Sequence, residues 1–140
     1  MELILCKNYD EMSQRAAELV AEQVNAKPDS VLGLATGATP VGTYKCLAKM
    51  HKNNEVDFKR VTTFNLDEYY PISRDNPQSY YSFMRENLFN HINIDLSNTH
   101  IPNGEASNPA EECTAYENMV ETSGIDFADT RYRQKRTYRL

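Results

Sequence analysis

Two stretches of this chain hold residues whose types and spacing suit chemistry. In the first, Val61-Thr62-Thr63-Phe64-Asn65-Leu66 is an apolar, β-branched run that ends abruptly in two acids, Asp67 and Glu68, followed by Tyr69. Such a run reads as a buried strand, and open α/β sheets bind ligands just beyond the carboxyl ends of their strands, where Asp67 falls. A partly desolvated carboxylate at that place suits a general base acting on a carbon-bound or hydroxyl proton. In the second stretch, Thr36-Gly37-Ala38-Thr39-Pro40 joins an apolar run to a helical pattern. Backbone N–H groups at such a turn, with the positive end of a helix dipole behind them, favour an anion such as a phosphate. Each stretch also has an ordinary reading, the acids as a solvated strand end and the turn as a plain helix cap. Topology is what joins them: two successive parallel strands deliver turn and carboxylate to one sheet edge, about a small phosphorylated metabolite apart.

The elements that must do the positioning follow from periodicity. Glu2-Leu3-Ile4-Leu5-Cys6 reads as a first strand, and Asp10 as the N-cap of a helix whose apolar face is Met12, Ala16, Leu19, Val20 and Val24. Lys27-Pro28-Asp29 stops that helix, and Val31-Leu32-Gly33-Leu34-Ala35 makes a second strand apolar enough to be covered on both faces. Thr39 is placed as N-cap and Pro40 as first residue of the next helix. A further helix starts near Pro77 and carries Tyr80, Tyr81, Phe83, Met84, Leu88 and Phe89. A short strand lies within residues 98–102, and a last helix runs from Pro109 to Ser123, ended by Gly124. Strand-helix repetition of this kind predicts an α/β fold, a Rossmann-like parallel sheet with flanking helices and right-handed crossovers.

Composition narrows the setting. Over 140 residues the net charge is −5, which argues against a nucleic acid as partner. There is no signal-peptide pattern and no apolar run of the roughly 18 residues a membrane helix needs, so the cytoplasm is expected and a membrane is not. Cys6, Cys46 and Cys113 form no CxxC pair, and His51, His91 and His100 are scattered, so neither a metal site nor a disulfide framework is expected. The three histidines are expected at the surface or at helix ends, and the tyrosine pairs Tyr69-Tyr70 and Tyr80-Tyr81 as core and rim.

Several motifs, in order, closely resemble the glucosamine-6-phosphate deaminase family: Leu32-Gly33-Leu34-Ala35-Thr36-Gly37-Ala38-Thr39-Pro40, Phe64-Asn65-Leu66-Asp67-Glu68-Tyr69, Pro77-Gln78-Ser79-Tyr80-Tyr81-Ser82-Phe83-Met84 and Ile101-Pro102-Asn103-Gly104. The resemblance implies a cofactor-free aldose–ketose isomerisation coupled to loss of the amine, giving fructose 6-phosphate and ammonia. It places the enzyme among the hydrolases of amino-sugar and N-acetylglucosamine catabolism. By the same resemblance Asp67 carries the proton from the second sugar carbon to the first, and Thr36, Gly37, Ala38 and Thr39 hold substrate and phosphate, with Glu68 and Tyr69 in support. The small-molecule partner is an amino-sugar phosphate, and the assembly a homo-oligomer, often a hexamer. The related 6-phosphogluconolactonases are the alternative, but they typically follow Asp-Glu with arginine where Tyr69 stands. Ala38 departs from the family's usual second glycine, and if that position needs a positive φ the alanine strains the turn.

The tail differs from the body. Residues 131–140 carry five basic side chains, whereas the first 125 residues hold ten basic against eighteen acidic ones. A one-base shift recovers something else: reverse-translated codons for residues 127–140, read without their first base, give L-Q-I-L-G-I-G-R-N-G-H-I-G. This resembles the glycine-rich continuation of the family, which carries the ring-opening histidine. The organisation expected is therefore residues 1–126 as the N-terminal part of a sugar-phosphate isomerase/deaminase domain, and residues 127–140 as an out-of-frame, disordered basic tail. The chain would then be a truncated, inactive form, or a non-catalytic fragment that associates with full-length subunits.

Overall fold

The computed structural model describes residues 2–129. Helix α1 spans Tyr9–Ala26 and opens on Asn8, whose side chain accepts the Glu11 N–H at 2.9 Å. The cap is thus two residues before the expected Asp10, which instead sits with Glu11 in the first turn, where a negative charge favours the helix dipole. Ala17, Val20, Ala21 and Val24, spaced by three and four, are the buried stripe. Strand β1 (Val31–Leu34) and helix α2 (Val41–Lys52) follow, then β2 (Thr62–Asn65), α3 (Tyr80–Asn87), β3 (Thr99–His100), α4 (Pro109–Ser123) and β4 (Phe127–Ala128).

The four strands form one parallel sheet in the order β3-β2-β1-β4. Leu32 and Leu34 point to the face covered by α1, α2 and α3, where they join Val20, Val24, Tyr44, Leu47, Val61 and Met84 in the main core. The opposite face carries Phe64, packed against Tyr116 and Val120 of α4 with Val31 and Ile125 beside them. Two-sided cover explains why β1 is an unbroken run of apolar or small residues. Each fully buried side chain such as Leu47 or Phe64 stabilises the fold by about 1.5–3 kcal/mol.

Two expectations about the sheet change. Residues 2–6 form no strand; Leu3 and Leu5 are 80% and 83% exposed, because no strand of the sheet lies alongside to take up their backbone groups. The fourth strand is instead Phe127–Ala128, paired with Leu32 and Gly33 and flanked by Asp126 N–H to Val31 O and Asp129 N–H to Gly33 O, each 2.8 Å. The expected tail thus begins with the two residues of β4, and its remainder, residues 130–140, lies outside the described residues. Asp126 also accepts the Val31 N–H and pairs with Lys27 Nζ at 2.8 Å, tying the strand's start to the end of α1.

Among the described residues, two glycines set approach distances that a side chain would not allow. A Cβ on Gly42 would fall 2.3 Å from Ser13 Oγ and 2.9 Å from Tyr9 Cε1, so α1 and α2 touch at this point. At Gly104 the obstacle is backbone: an added Cβ would lie 2.7 Å from Ile72 O and 2.8 Å from Tyr69 O, while Ile72 N–H donates to Gly104 O at 2.9 Å. That contact fastens the loop after Asp67 to the turn after β3. Gly104→Ala is expected to lower stability by about 1–3 kcal/mol, the usual cost of forcing a methyl group into packed structure, read as a lower denaturant midpoint at unchanged m-value.

Candidate functional site

The register Leu34↔Asn65 places the exits of β1 and β2 side by side. Asn65 fixes them further, its Nδ2 donating to Leu34 O at 2.9 Å in a buried contact. From below, the Tyr116 hydroxyl lies 2.6 Å from Asn65 O and 2.9 Å from His100 O, so α4 holds the ends of β2 and β3 at one level. Both sequence-predicted features, the turn 36–39 and Asp67, leave this same edge.

The turn is shaped by residues far from it. Tyr44 of α2 donates its hydroxyl to Ala35 O, and Tyr9 of α1 places its hydroxyl 3.0 Å from Ala38 O and Thr39 O while accepting the Gly42 N–H at 2.9 Å. Pro40, rather than Thr39, occupies the cap position of α2, and no side chain caps it, so Tyr9 serves the first turn in its stead. Gly37 has φ 100°, a value open to glycine, and its surroundings are empty, whereas Ala38 is not among the residues with positive φ. The alanine is therefore unstrained, and the concern raised by the family's second glycine does not apply in this geometry. Gly37, Ala38 and Thr39 are exposed, Thr36 half-buried.

At the other exit, Asp67 is open to solvent, as a group that meets a substrate has to be. Protein nevertheless surrounds it closely enough that desolvation, and then the Glu68 charge, raises its carboxyl above the ordinary value. Glu68 points the opposite way and is buried. Its Oε1 accepts the N–H groups of Tyr69 and Tyr80 at 3.0 and 2.8 Å, and its Oε2 that of Tyr81 at 3.1 Å. Tyr69 is exposed and stands against Tyr80, ring centroids 4.7 Å apart.

Tyr80 is the residue that sequence reasoning passed over as core and rim. Its ring stands against that of Tyr69, and the neighbouring Tyr69 hydroxyl, burial and the Asp67 charge push its own hydroxyl up to about 12, with Thr36 acting the other way. It thereby ties α3 to the Asp67 side of the site. The only hint in the chain was the double tyrosine pairs, which do not say which ring lands on the Asp67 side. His100, expected at the surface, is half-buried in β3, stacked on Phe64 at 4.7 Å, and its pKa is lowered by burial. His51 and His91 bond to the carbonyls of Val56 and Glu86. Among the described residues no group of three or more His, Cys, Asp or Glu side chains could hold a metal ion, and no helix is long and apolar enough to cross a membrane.

A parallel sheet with an anion-favouring turn and a carboxylate at adjacent strand exits defines an α/β protein of the kind that binds ligands beyond the carboxyl ends of its strands. The family described as glucosamine-6-phosphate isomerases/6-phosphogluconolactonase matches residues 7–131, and the chain belongs to it. Glucosamine-6-phosphate deaminase of Clostridium botulinum strain Hall is 56% identical over 124 residues, 89% of this chain and 51% of the relative. The enzyme of the same name from Thermoanaerobacter sp. strain X514 is also 56% identical, over 49% of its length. The chain thus spans about half the length of the curated relatives it matches. A solved structure of a monomeric glucosamine-6-phosphate deaminase superposes with a TM-score of 0.87 at 44% identity, covering 89% of this chain and 52% of that one. A 6-phosphogluconolactonase from Thermotoga maritima, at TM-score 0.71 and 22% identity, shares the fold. These relatives are isomerase-type deaminases, which corrects the expectation of a hydrolase.

One further carboxylate lies near this edge. Asp129, just past β4, has a buried Oδ2 without a hydrogen-bond partner, and burial raises its pKa from 3.8 to about 6. An acid whose folded pKa lies above its unfolded value is bound to a proton more often when folded, so stability falls as pH rises from 3.8 to about 6 and then levels. Asp67 adds to this in the same sense. Asp57, Asp95 and Asp126 are shifted down and act in the opposite sense, but below 3.8. His100, lowered by burial, acts in the opposite sense below 6.5, so the expected effect is read as a difference: the thermal midpoint of the wild type relative to that of Asp129→Asn should fall as pH rises from 4 to about 6.

Proposed function

We propose that this chain carries the proton-transfer part of a glucosamine-6-phosphate deaminase site, with Asp67 as base and the turn of Thr36, Gly37, Ala38 and Thr39 as phosphate and substrate anchor. The observation that carries this is the pairing of an accessible, raised-pKa carboxylate with an exposed, unstrained anion-favouring turn on adjacent strand exits. An aldose–ketose shift needs one base that reaches two neighbouring carbons and a fixed anchor that keeps the sugar from sliding between the two transfers. Tyr69 and Tyr80 wall the space between. The partner is a small amino-sugar phosphate, the setting the cytoplasm, and the assembly a homo-oligomer.

Deuterium wash-in at the second carbon of glucosamine 6-phosphate in D2O reads the base acting on the open-chain sugar, whatever the fate of the amine. This chain, without the ring-opening residues, is expected to catalyse it only on the spontaneously opened sugar, with Asp67→Asn slower still by about 10²–10⁴-fold. Amide resonances of residues 36–39 should respond to the phosphorylated sugar and not to glucosamine. Wash-in at the same rate in both proteins would remove Asp67 from the role.

We also infer that the codons from Phe127 onward are read out of frame. Position 129 supports this: the chain puts an unpartnered carboxyl into a desolvated place beside β1, where the shifted reading puts isoleucine. Sequencing the gene decides it, since an in-frame run lacking the shifted codons would exclude the shift. Asp129→Ile is expected to raise the thermal midpoint at neutral pH.

A further inference from the structure

We propose that Glu68 is a positioning residue for the site: its carboxylate clamps the first turn of α3 to the exit of β2 and so holds Tyr80 against Tyr69 beside Asp67. The inference rests on the reading of Asp67 as base. Its own ground is geometry. An α-helix leaves its first N–H groups without partners, and in α3 these are Tyr80, Tyr81 and Ser82. Ser79 Oγ takes the Ser82 N–H at 3.0 Å, an ordinary cap. The other two go to Glu68, twelve and thirteen residues away, with the Tyr69 N–H as a third donor. One carboxylate, 4% exposed, thus closes the whole loop between Asp67 and α3.

The contact is directional in its consequences. Glu68 is bonded to the backbone of the residue whose ring meets Tyr69, so a displacement of the α3 N-terminus moves that ring and its hydroxyl. Charge adds a second effect, because Asp67 is the immediate neighbour and Glu68 is the second cause of its raised pKa, after desolvation. The other groups on this side are the Tyr69 and Tyr80 hydroxyls, the Arg74 guanidinium 5.0 Å from the Tyr81 ring centre, and Arg85, 3.4 Å from the Tyr81 hydroxyl. Asp67 therefore feels the anchored anion next to it and in turn acts on the Tyr80 hydroxyl.

The test needs no substrate, so it is independent of whether Asp67 performs the reaction proposed above. The side-chain carboxyl of Asp67 is titrated by ¹³C NMR in the wild type and in Glu68→Gln, and exchange of the Tyr80 and Tyr81 amides is followed in both. Glu68→Gln is expected to move the Asp67 midpoint down toward the ordinary range and to speed exchange of the two amides about tenfold or more. Glu68→Asp separates the effects and serves if the glutamine variant does not fold. It keeps the charge one methylene short, so the Asp67 midpoint should stay raised while the amides lose protection. An unchanged Asp67 midpoint in Glu68→Gln, or amides as protected in Glu68→Asp as in the wild type, overturns the proposal.

Discussion

The parallel pairing of β1 with β2 is the constraint on which the rest depends. With Leu34 opposite Asn65, each strand ends at the same level, and the chain beyond each end turns into the same space. A shift of one residue would send Phe64 to the wrong face and take Asp67 away from the turn. Three contacts prevent it. Asn65 reaches across to the Leu34 carbonyl, Tyr116 meets the Asn65 carbonyl from one face, and Leu32, Leu34 and Val61 are locked in the core on the other. The site is precise because the sheet beneath it admits one register.

What lies above the sheet is held differently, by polar side chains bonding to backbone. Tyr9 secures the β1 turn from α1, and Glu68 secures α3 from β2. Ile72 bonds to Gly104, closing the loop after Asp67 against the turn after β3. Each link joins segments distant in sequence, and each leaves the functional surface itself free of its own internal bonds. That division suits a binding site: the exposed N–H groups of residues 37–39 stay available because the carbonyls beside them, not the amides, are engaged by Tyr9 and Tyr44.

Periodicity made α1, β1, α2, β2 and α4 legible, since each buries a stripe or face whose spacing is written locally. Pro109, Gly124 and Pro28 marked ends correctly because their backbone restrictions act locally too. Residues 2–6 show the limit: Leu3-Ile4-Leu5 has strand composition, but a strand exists only with a neighbour, and its neighbour is not a local property. Phe127–Ala128 is the converse, two residues drawn into the sheet by β1 although the sequence after them is polar. The place of Asp67 just beyond β2 was legible from the abrupt end of an apolar run. Tyr80 and the cap role of Glu68 were not, because both depend on where α3 lands relative to β1 and β2.

Tyr69 bears on why this site suits removal of a carbon-bound proton. Such a step wants a carboxylate whose pKa is raised, since a more basic oxygen gains more in taking the proton. Here Arg74 and Arg85 are engaged with Tyr81, and the residue after Glu68 is a phenol whose ring meets that of Tyr80. The lactonase pattern, by resemblance, places an arginine directly after Asp-Glu. A guanidinium at position 69 would favour the charged form of Asp67 and cancel part of what desolvation and Glu68 achieve. It would also remove the ring that meets Tyr80 at 4.7 Å, so one substitution would act both on the charge beside Asp67 and on the packing of the α3 N-terminus.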